Sequence, residues 1–161
     1  MLDRIPAAAA FQTRRPPPLA HPRELTLAWW TPGTAHGRGP VFVSVTDFHV
    51  PRPQDLLRVY LEGWRLRRAW PAIPGAVGMW MWSKPLRRRA GSVSVWRDEQ
   101  HLRRFVLWAR HLELMRRYRD VGELFSNGWL EDRFDPKLVW SKAAGHLARR
   151  DHARSTREGE R

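Results

Sequence analysis

Residues 92–111, "SVSVWRDEQHLRRFVLWARH", constrain the fold more than any other segment because their periodicity changes part-way along. Serine alternates with valine in the first four residues, which is typical of a strand with one buried face. Leu102, Phe105 and Val106 then recur at helical spacing, and Asp98 can cap the helix by accepting a backbone N–H. We therefore predict a strand that leads directly into a helix ending near residue 118.

An earlier segment shows the same succession of strand and helix. Residues 41–50, "VFVSVTDFHV", alternate like a strand, and Pro53 suits the first turn of a helix because its missing N–H is not needed there. We predict that this helix ends before Pro71. Its apolar face, at helical spacing, consists of Leu56, Leu57, Tyr60, Leu61 and Trp64.

A further strand is predicted for residues 75–84, "GAVGMWMWSK", with Met79 and Met81 on one face and Trp80 and Trp82 on the other. Two short segments, "ELTLAWW" and "KLVWSK", are interpreted as strands, and "ELFSNGWLEDRF" as two helical turns around a loop. The core order is strand, helix, strand, strand, helix, strand. This order predicts the ferredoxin-like α+β fold, an antiparallel sheet with two helices on one face.

The second face of the predicted sheet carries large apolar groups as well, and no predicted element is left to cover it. An exposed apolar sheet face usually marks a partner or a ligand. We therefore expect a homodimer in which two such sheets pack together as a dimeric α/β barrel, with a cavity inside each protomer.

The folded domain is predicted to span residues 24–142. Residues 1–23 are rich in Pro, Ala and Arg and are predicted to be a disordered tail, and residues 143–161 a basic polar tail. The chain has no cysteine, which excludes disulfides and thiolate metal sites. It has neither a signal-peptide pattern nor about 18 consecutive apolar residues. We therefore expect a cytoplasmic protein without a membrane partner.

The formal net charge of +13 favours contact with polyanions. Only three of the 29 basic residues are lysine, and the arginines are spread along the whole chain. They form no recognised nucleic-acid-binding module. Nucleic-acid binding through the arginine-rich tails is therefore a minor hypothesis, behind that of a solvated basic surface.

Residues 92–111, followed by "ELFSNGWLEDRFDP", resemble the dimeric α/β-barrel superfamily that includes the antibiotic-biosynthesis monooxygenases, and within it the spheroidene monooxygenase-like proteins. The likeness covers residues 41–142. In that group a Ser-x-Trp pair ends a strand, a Phe and a His follow on a helix, and a Trp, an acidic residue and an Arg-Phe pair come later. The matching residues are Ser94, Trp96, Phe105, His111, Trp129, Glu131, Arg133 and Phe134.

The resemblance implies a dimeric ferredoxin-like protein and an oxygenase that acts on an apolar substrate. The spheroidene monooxygenase-like proteins are associated with haem, so haem is the cofactor that the resemblance suggests, while the residues themselves leave the cofactor unknown. Because one fold serves many functions, the resemblance does not by itself fix the activity. The first hypothesis is a monooxygenase-like protein that acts on or binds an apolar small molecule in a cavity between sheet and helices. The alternative is a non-catalytic ligand-binding or structural homodimer.

His111 is the candidate catalytic residue. A neutral imidazole on this helix could act as an acid or base near pH 7, or ligate haem iron. The structural alternative is a histidine at the edge of the core that donates one N–H to a backbone carbonyl. Met115, one turn further on, is a weaker candidate for a second axial ligand because methionine usually fills gaps in a core.

Large side chains are predicted to line the cavity for a flat apolar ligand, with a dimer interface as their alternative location. The predicted pocket-lining residues are Trp80, Trp82, Trp96, Phe105, Trp108 and Met115. Asp47 and His49 share a strand face, but two residues do not make a metal site, and none is predicted. Glu131 and Arg133 are interpreted as structural.

Overall fold

Five strands form one antiparallel sheet in the order β1-β3-β4-β2-β5. The computed structural model describes residues 27–159, and their side chains as far as residue 156. The strands are β1 (Leu27–Pro32), β2 (Val41–His49), β3 (Ala76–Lys84), β4 (Arg89–Trp96) and β5 (Glu123–Glu131). Strands β2 to β5 have the predicted ferredoxin-like arrangement, and β1 extends the sheet beside β3.

Four helices cover the two faces of this sheet: α1 (Pro53–Ala69), α2 (Glu99–Val106), α3 (Ala109–Tyr118) and α4 (Pro136–Gly159). Side chains of α1, α2 and α3 pack on one face, which we call the helix-side face. Side chains of α4 pack on the other, the α4-side face. Within residues 27–159, no helix combines the length and apolar character needed to cross a bilayer.

The alternation in each strand decides which residues meet which helices. In β2, Val41, Val43 and Val45 are fully buried on the α4-side face. Phe42 and Phe48, at alternate positions, pack on the helix-side face. The predicted split in β3 is also confirmed, because the two methionines and the two tryptophans belong to cores on opposite faces.

The second predicted helix is two helices joined by a bend at residues 107–108. Asp98 is its cap as predicted, since one carboxylate oxygen accepts the N–H of His101 at 3.0 Å. Trp108 leaves the helical conformation, with ψ at 130°, while its N–H still bonds the carbonyl of Phe105. The bend keeps the rings of Phe105 and Trp108 against the sheet. The apolar residues therefore continue across the bend, and their pattern alone suggested one continuous helix.

The segment "ELFSNGWLEDRF" was expected to be helical turns and is instead strand β5, so that prediction is wrong. β5 pairs with β2 over nine residues, from Val41 opposite Glu131 to His49 opposite Glu123. Ser126, Asn127 and Gly128 have poor strand propensity, but the backbone hydrogen bonds available at the edge of β2 outweigh that preference.

The segment "KLVWSK" is the start of α4 rather than a strand, and α4 continues through residues 143–159, where a tail was expected. Asp135 caps the helix by accepting the backbone N–H of Lys137 at 2.9 Å. Val139, Ala143 and Leu147 recur every fourth residue and are buried on one side of it. Helix α4 therefore runs across residue 142, where the domain was predicted to end, and the predicted N-terminal tail, residues 1–23, lies outside the described residues.

Helix α4 also overturns the expectation that no element of the chain covers the second sheet face. Trp140 and Leu147 of α4 pack on Val43 and Val95 of the sheet, and all four are at most 3 % exposed. A second copy of the chain is therefore not needed to bury this face.

A buried ion network fixes α4 to the sheet. The Arg89 guanidinium donates to both carboxylate oxygens of Asp47 on the neighbouring strand, at 3.0 and 2.6 Å. The same guanidinium pairs with Asp151 of α4, which also pairs with Lys84 at 3.3 Å. The Arg89 guanidinium also donates a hydrogen bond to the backbone carbonyl of Leu147. Three elements of the fold therefore meet at one desolvated arginine.

Replacement of Arg89 tests how much this residue contributes to the stability of the fold. Arg89→Met leaves the Asp47 carboxylate buried without its partner, so we expect a loss of about 3–5 kcal/mol in the free energy of unfolding, measured by urea denaturation. The double variant Asp47→Leu, Arg89→Met removes the stranded charge and should recover part of that loss. Arg38→Met, at an exposed loop position, is the matched control and should change stability by less than about 0.5 kcal/mol. An equal effect of the two arginine substitutions would contradict this role.

Candidate functional site

An aromatic cluster fills the space between the helix-side face and the helices α2 and α3. The ring centroid of Trp96 in β4 lies 5.2 Å from that of Phe105 in α2. Phe105 in turn lies 6.3 Å from Trp108 and 4.6 Å from the imidazole of His111. These four residues, which we call the aromatic cluster, lie together because the bend after α2 turns the first residues of α3 back toward the sheet.

His111 is half-buried at the edge of this cluster. Its Nδ1 lies 3.1 Å from the carbonyl oxygen of Val106, which can only accept, so Nδ1 carries the proton in this hydrogen bond. Burial lowers the pKa of the imidazole below its ordinary value, and the bond to Val106 partly opposes that change. A neutral ring protonated at Nδ1 leaves Nε2 with a free lone pair, which suits a proton acceptor.

Four hydroxyl groups lie on the same sheet face and were not singled out from the sequence. The Ser94 hydroxyl accepts a hydrogen bond from Trp96 Nε1 at 2.9 Å and donates to the carbonyl of Ser44 at 3.4 Å. The hydroxyls of Thr46 and Ser92 are 3.0 Å apart. We call Ser44, Thr46, Ser92 and Ser94 the hydroxyl row. The sequence contained a signal for this row. Small polar residues occupy alternate positions of β2 and β4, on the face that α1, α2 and α3 cover.

The structure divides the predicted pocket-lining residues between the two faces of the sheet. Trp96, Phe105 and Trp108 belong to the aromatic cluster, and Met115 is half-buried on α3, one turn after His111. Trp80 and Trp82 lie on the α4-side face, beneath Trp140. One cavity lined by all six residues is therefore excluded, because the sheet separates the two groups.

The tryptophans beneath α4 have an unusual feature. The Nε1 atoms of Trp80, Trp82 and Trp140, like that of Trp70 on the other face, are buried without a hydrogen-bond partner among the described residues. Each unpaired indole N–H costs about 1–3 kcal/mol of desolvation, which the burial of the large rings offsets. These residues therefore serve the core rather than a polar ligand.

The other polar residues considered from the sequence have structural contacts. Asp47 pairs with Arg89 and not with His49. Glu131 is buried, accepts a hydrogen bond from Trp129 Nε1 at 2.7 Å and pairs with Lys142 of α4 at 2.7 Å, whereas Arg133 is exposed. Glu131 therefore joins β5 to α4. No group of three metal-ligating side chains occurs among the described residues.

The described residues do not fit a haem next to His111. The ring of His111 rests on Phe105, and Phe105 packs at 5.2 and 5.6 Å, between ring centroids, on Trp96 and Trp70. A planar macrocycle needs an open slot between its walls, whereas these rings are in direct contact with one another. The surroundings of His111 are therefore unsuited to a haem.

Comparison with solved structures shows the same fold in other proteins. Two structures named "putative monooxygenase" match, one from Fusobacterium nucleatum with a TM-score of 0.53 and 7 % identity, and one from Lactobacillus acidophilus with 0.51 and 9 %. Each match covers 66 % of this chain, and 48 % and 54 % of those chains. A conserved protein from Methanosarcina mazei matches with a TM-score of 0.50 and 13 % identity, over 55 % of this chain and 90 % of that chain.

These likenesses show a shared fold. This chain therefore has the fold of two proteins named putative monooxygenases, and the narrower likeness to the spheroidene monooxygenase-like proteins is not shown. The chain spans about half the length of the first two structures. No protein-family model matches the chain, and no curated protein matches it in sequence.

The lowered pKa of His111 predicts a pH effect on stability. The folded state disfavours the protonated ring, so it loses stability relative to the unfolded state as the pH falls below the ordinary histidine value of 6.5. In urea unfolding at about pH 7.5 and about pH 5.5, we expect His111→Gln to lose less stability on acidification than the wild type. His36→Gln, at an exposed loop position, should lose as much as the wild type. Identical losses in all three proteins would show that the imidazole is not desolvated.

Proposed function

We propose that this protein is a monooxygenase-like enzyme that binds an apolar, aromatic small molecule at the helix-side face, with His111 as the proton acceptor. One observation carries the proposal: a neutral imidazole with a free Nε2 lies at the half-buried edge of an aromatic cluster. The monooxygenase-like fold supports the reaction class, and the substrate chemistry follows from the aromatic surroundings. We expect the protein to act in the cytoplasm.

The two sets of side chains on this face have different roles in the proposal. Phe105 and Trp108 are half-buried and offer ring faces at the edge of the aromatic cluster, on which a flat aromatic substrate can stack. Trp96 is fully buried and packs on Phe105. The half-buried hydroxyls of Thr46 and Ser92 can accept or donate one hydrogen bond each and so orient a polar substituent of that substrate.

His111 then removes a proton from the oriented substrate. Transfer of a substrate O–H or acidic C–H proton to Nε2 leaves an electron-rich anion. A carbon of this anion forms a bond to dioxygen, the co-substrate, and the terminal oxygen takes the proton back from the imidazolium, which gives a hydroperoxide. Loss of water then breaks the O–O bond and leaves a carbonyl, so one oxygen atom enters the substrate and the other leaves as water. The hydrogen bond from Nδ1 to the carbonyl of Val106 stabilises the imidazolium formed. The low pKa keeps the base unprotonated at neutral pH before the reaction.

Indole N–H signals in a nitrogen–proton correlation spectrum can test where the substrate binds, with 1-naphthol as the ligand. The signals of Trp96 and Trp108, assigned with phenylalanine variants, should shift on titration, while those of Trp80 and Trp82 beneath α4 should not. Trp108→Ala should weaken binding about fivefold, because one aromatic contact contributes about 1 kcal/mol. Shifts confined to the tryptophans beneath α4 would place binding on the wrong face.

The same titration separates binding from chemistry. His111→Ala should bind 1-naphthol with an affinity close to that of the wild type but lose substrate-dependent oxygen uptake in an oxygen electrode. His36→Ala is the control and should keep both. If His111→Ala keeps both 1-naphthol binding and oxygen uptake, His111 has no part in the mechanism.

A non-catalytic homodimer is the second candidate, and strand β5 favours it. Among the described strands, β5 lies at one edge of the sheet and pairs on one side only, and its Leu124 and Leu130 are 46 % and 70 % exposed on the helix-side face. Long edge strands with exposed apolar groups readily pair with another chain.

Light scattering on the eluate of a sizing column tests the dimer. If β5 forms the interface, the wild type elutes as a dimer and Leu130→Lys as a monomer, because a lysine on an edge strand opposes pairing. Leu86→Lys, at a turn leucine that is 81 % exposed, is the matched control and should not change the mass. A monomeric wild type would contradict the homodimer.

A further inference from the structure

The bend between α2 and α3 presents aliphatic side chains to solvent. We call residues 103–110, "RRFVLWAR", the α2–α3 elbow. Its outer side carries Val106 and Leu107, which are 40 % and 69 % exposed, whereas Phe105 and Trp108 point inward to the aromatic cluster. Two adjacent aliphatic side chains at the apex of a bend are poorly placed in water and are suited to an apolar surface outside the protein.

The backbone holds this apex in place. The N–H of Leu107 bonds the carbonyl of Arg103, and the N–H of Leu112 bonds that of Trp108, so the bend is hydrogen-bonded on both sides. The inward packing of Trp108 prevents rotation of the elbow that would bury the leucine instead. The exposure of Leu107 is therefore a property of the fold and not of a loose loop.

Arginines flank the apex on both sides. Arg104 precedes it and Arg110 follows it; both are exposed, and neither forms a salt bridge with any residue that the structure describes. Arg103 differs, because it is paired with Glu99 at 2.9 Å. The wider segment of residues 97–119 contains seven arginines and three acidic residues. An apolar apex thus stands inside a field of positive charge.

We propose that the α2–α3 elbow docks this protein on the surface of an anionic lipid bilayer. Val106 and Leu107 enter the boundary between headgroups and acyl chains, and Arg104 and Arg110 contact lipid phosphates and carboxylates. Docking of this kind needs no membrane-spanning helix, and it departs from the sequence-based expectation of no membrane partner. It is also independent of the function proposed for His111.

The composition of the elbow favours lipid over the other polyanions and over a second copy. A nucleic acid would use the arginines, but it could take up the aliphatic apex only by unstacking its bases, which is unfavourable. A second copy would bring the same arginines face to face, and like charges across an interface oppose association. An anionic bilayer alone complements both the charge and the apolar apex.

Sedimentation with vesicles tests the proposal on the full chain. The wild type should bind phosphatidylcholine vesicles that contain about 30 % phosphatidylserine and bind pure phosphatidylcholine at least tenfold more weakly. Arg104→Gln with Arg110→Gln should weaken binding to the anionic vesicles about 30-fold, because each arginine near the surface contributes about 1 kcal/mol. Leu107→Ser should weaken it about tenfold through the lost apolar contact.

Matched variants separate the elbow from the overall charge. Arg38→Gln with Arg133→Gln removes the same charge from exposed positions elsewhere, and Leu86→Ser removes an exposed leucine from a turn. Both should bind anionic vesicles within about twofold of the wild type. Equal weakening by the two double variants would overturn the proposal in favour of unspecific attraction. Preference for duplex DNA over the vesicles, with the same loss in the elbow variants, would overturn it in favour of a nucleic-acid surface.

Discussion

The contact of one buried guanidinium with two carboxylates fixes helix α4 to the sheet. Arg89 links β4 to Asp47 in β2 and to Asp151 in α4, and its pairing makes the desolvation of these charges tolerable. With α4 anchored there, the valine-rich face of the sheet is covered by the chain itself. The other face is covered by α1, α2 and α3, and it carries the hydroxyl row and the aromatic cluster of the candidate site.

The predictable part of the fold is the part whose pattern is local. Strands β2, β3 and β4 alternate, and α1 and α2 have clear apolar stripes, so the sequence was enough for these five elements and for the fold class that they indicate. β5 was missed because Ser126 and Gly128 interrupt its pattern, and a ladder with a distant strand decides its conformation. α4 was missed because a start rich in Val and Trp suggested a strand, although Val139, Ala143 and Leu147 were spaced as one helical face.

The candidate site was only partly predictable for a related reason. Phe105 and His111 are close in sequence, and one bend of the chain brings their rings into contact, so local spacing was enough to suggest that they lie near each other. Trp80 and Trp82 were assigned to the same cavity from residue type alone. Trp80 and Trp82 lie on the face that α4 covers, whereas the candidate site lies on the face that α2 and α3 cover. The sequence pattern does not show on which face α4 packs, because that packing joins residues far apart in the chain.

The unpaired indole N–H groups of Trp80, Trp82 and Trp140 have a consequence for how the protein can be observed. An indole in apolar surroundings, without a hydrogen bond to relax its excited state, emits at shorter wavelength than a solvated one. These rings form the contact between α4 and the sheet. The emission wavelength of the intrinsic fluorescence should therefore report whether α4 is packed against the sheet. The core thus contains an intrinsic fluorescent probe for the separation of α4 from the sheet.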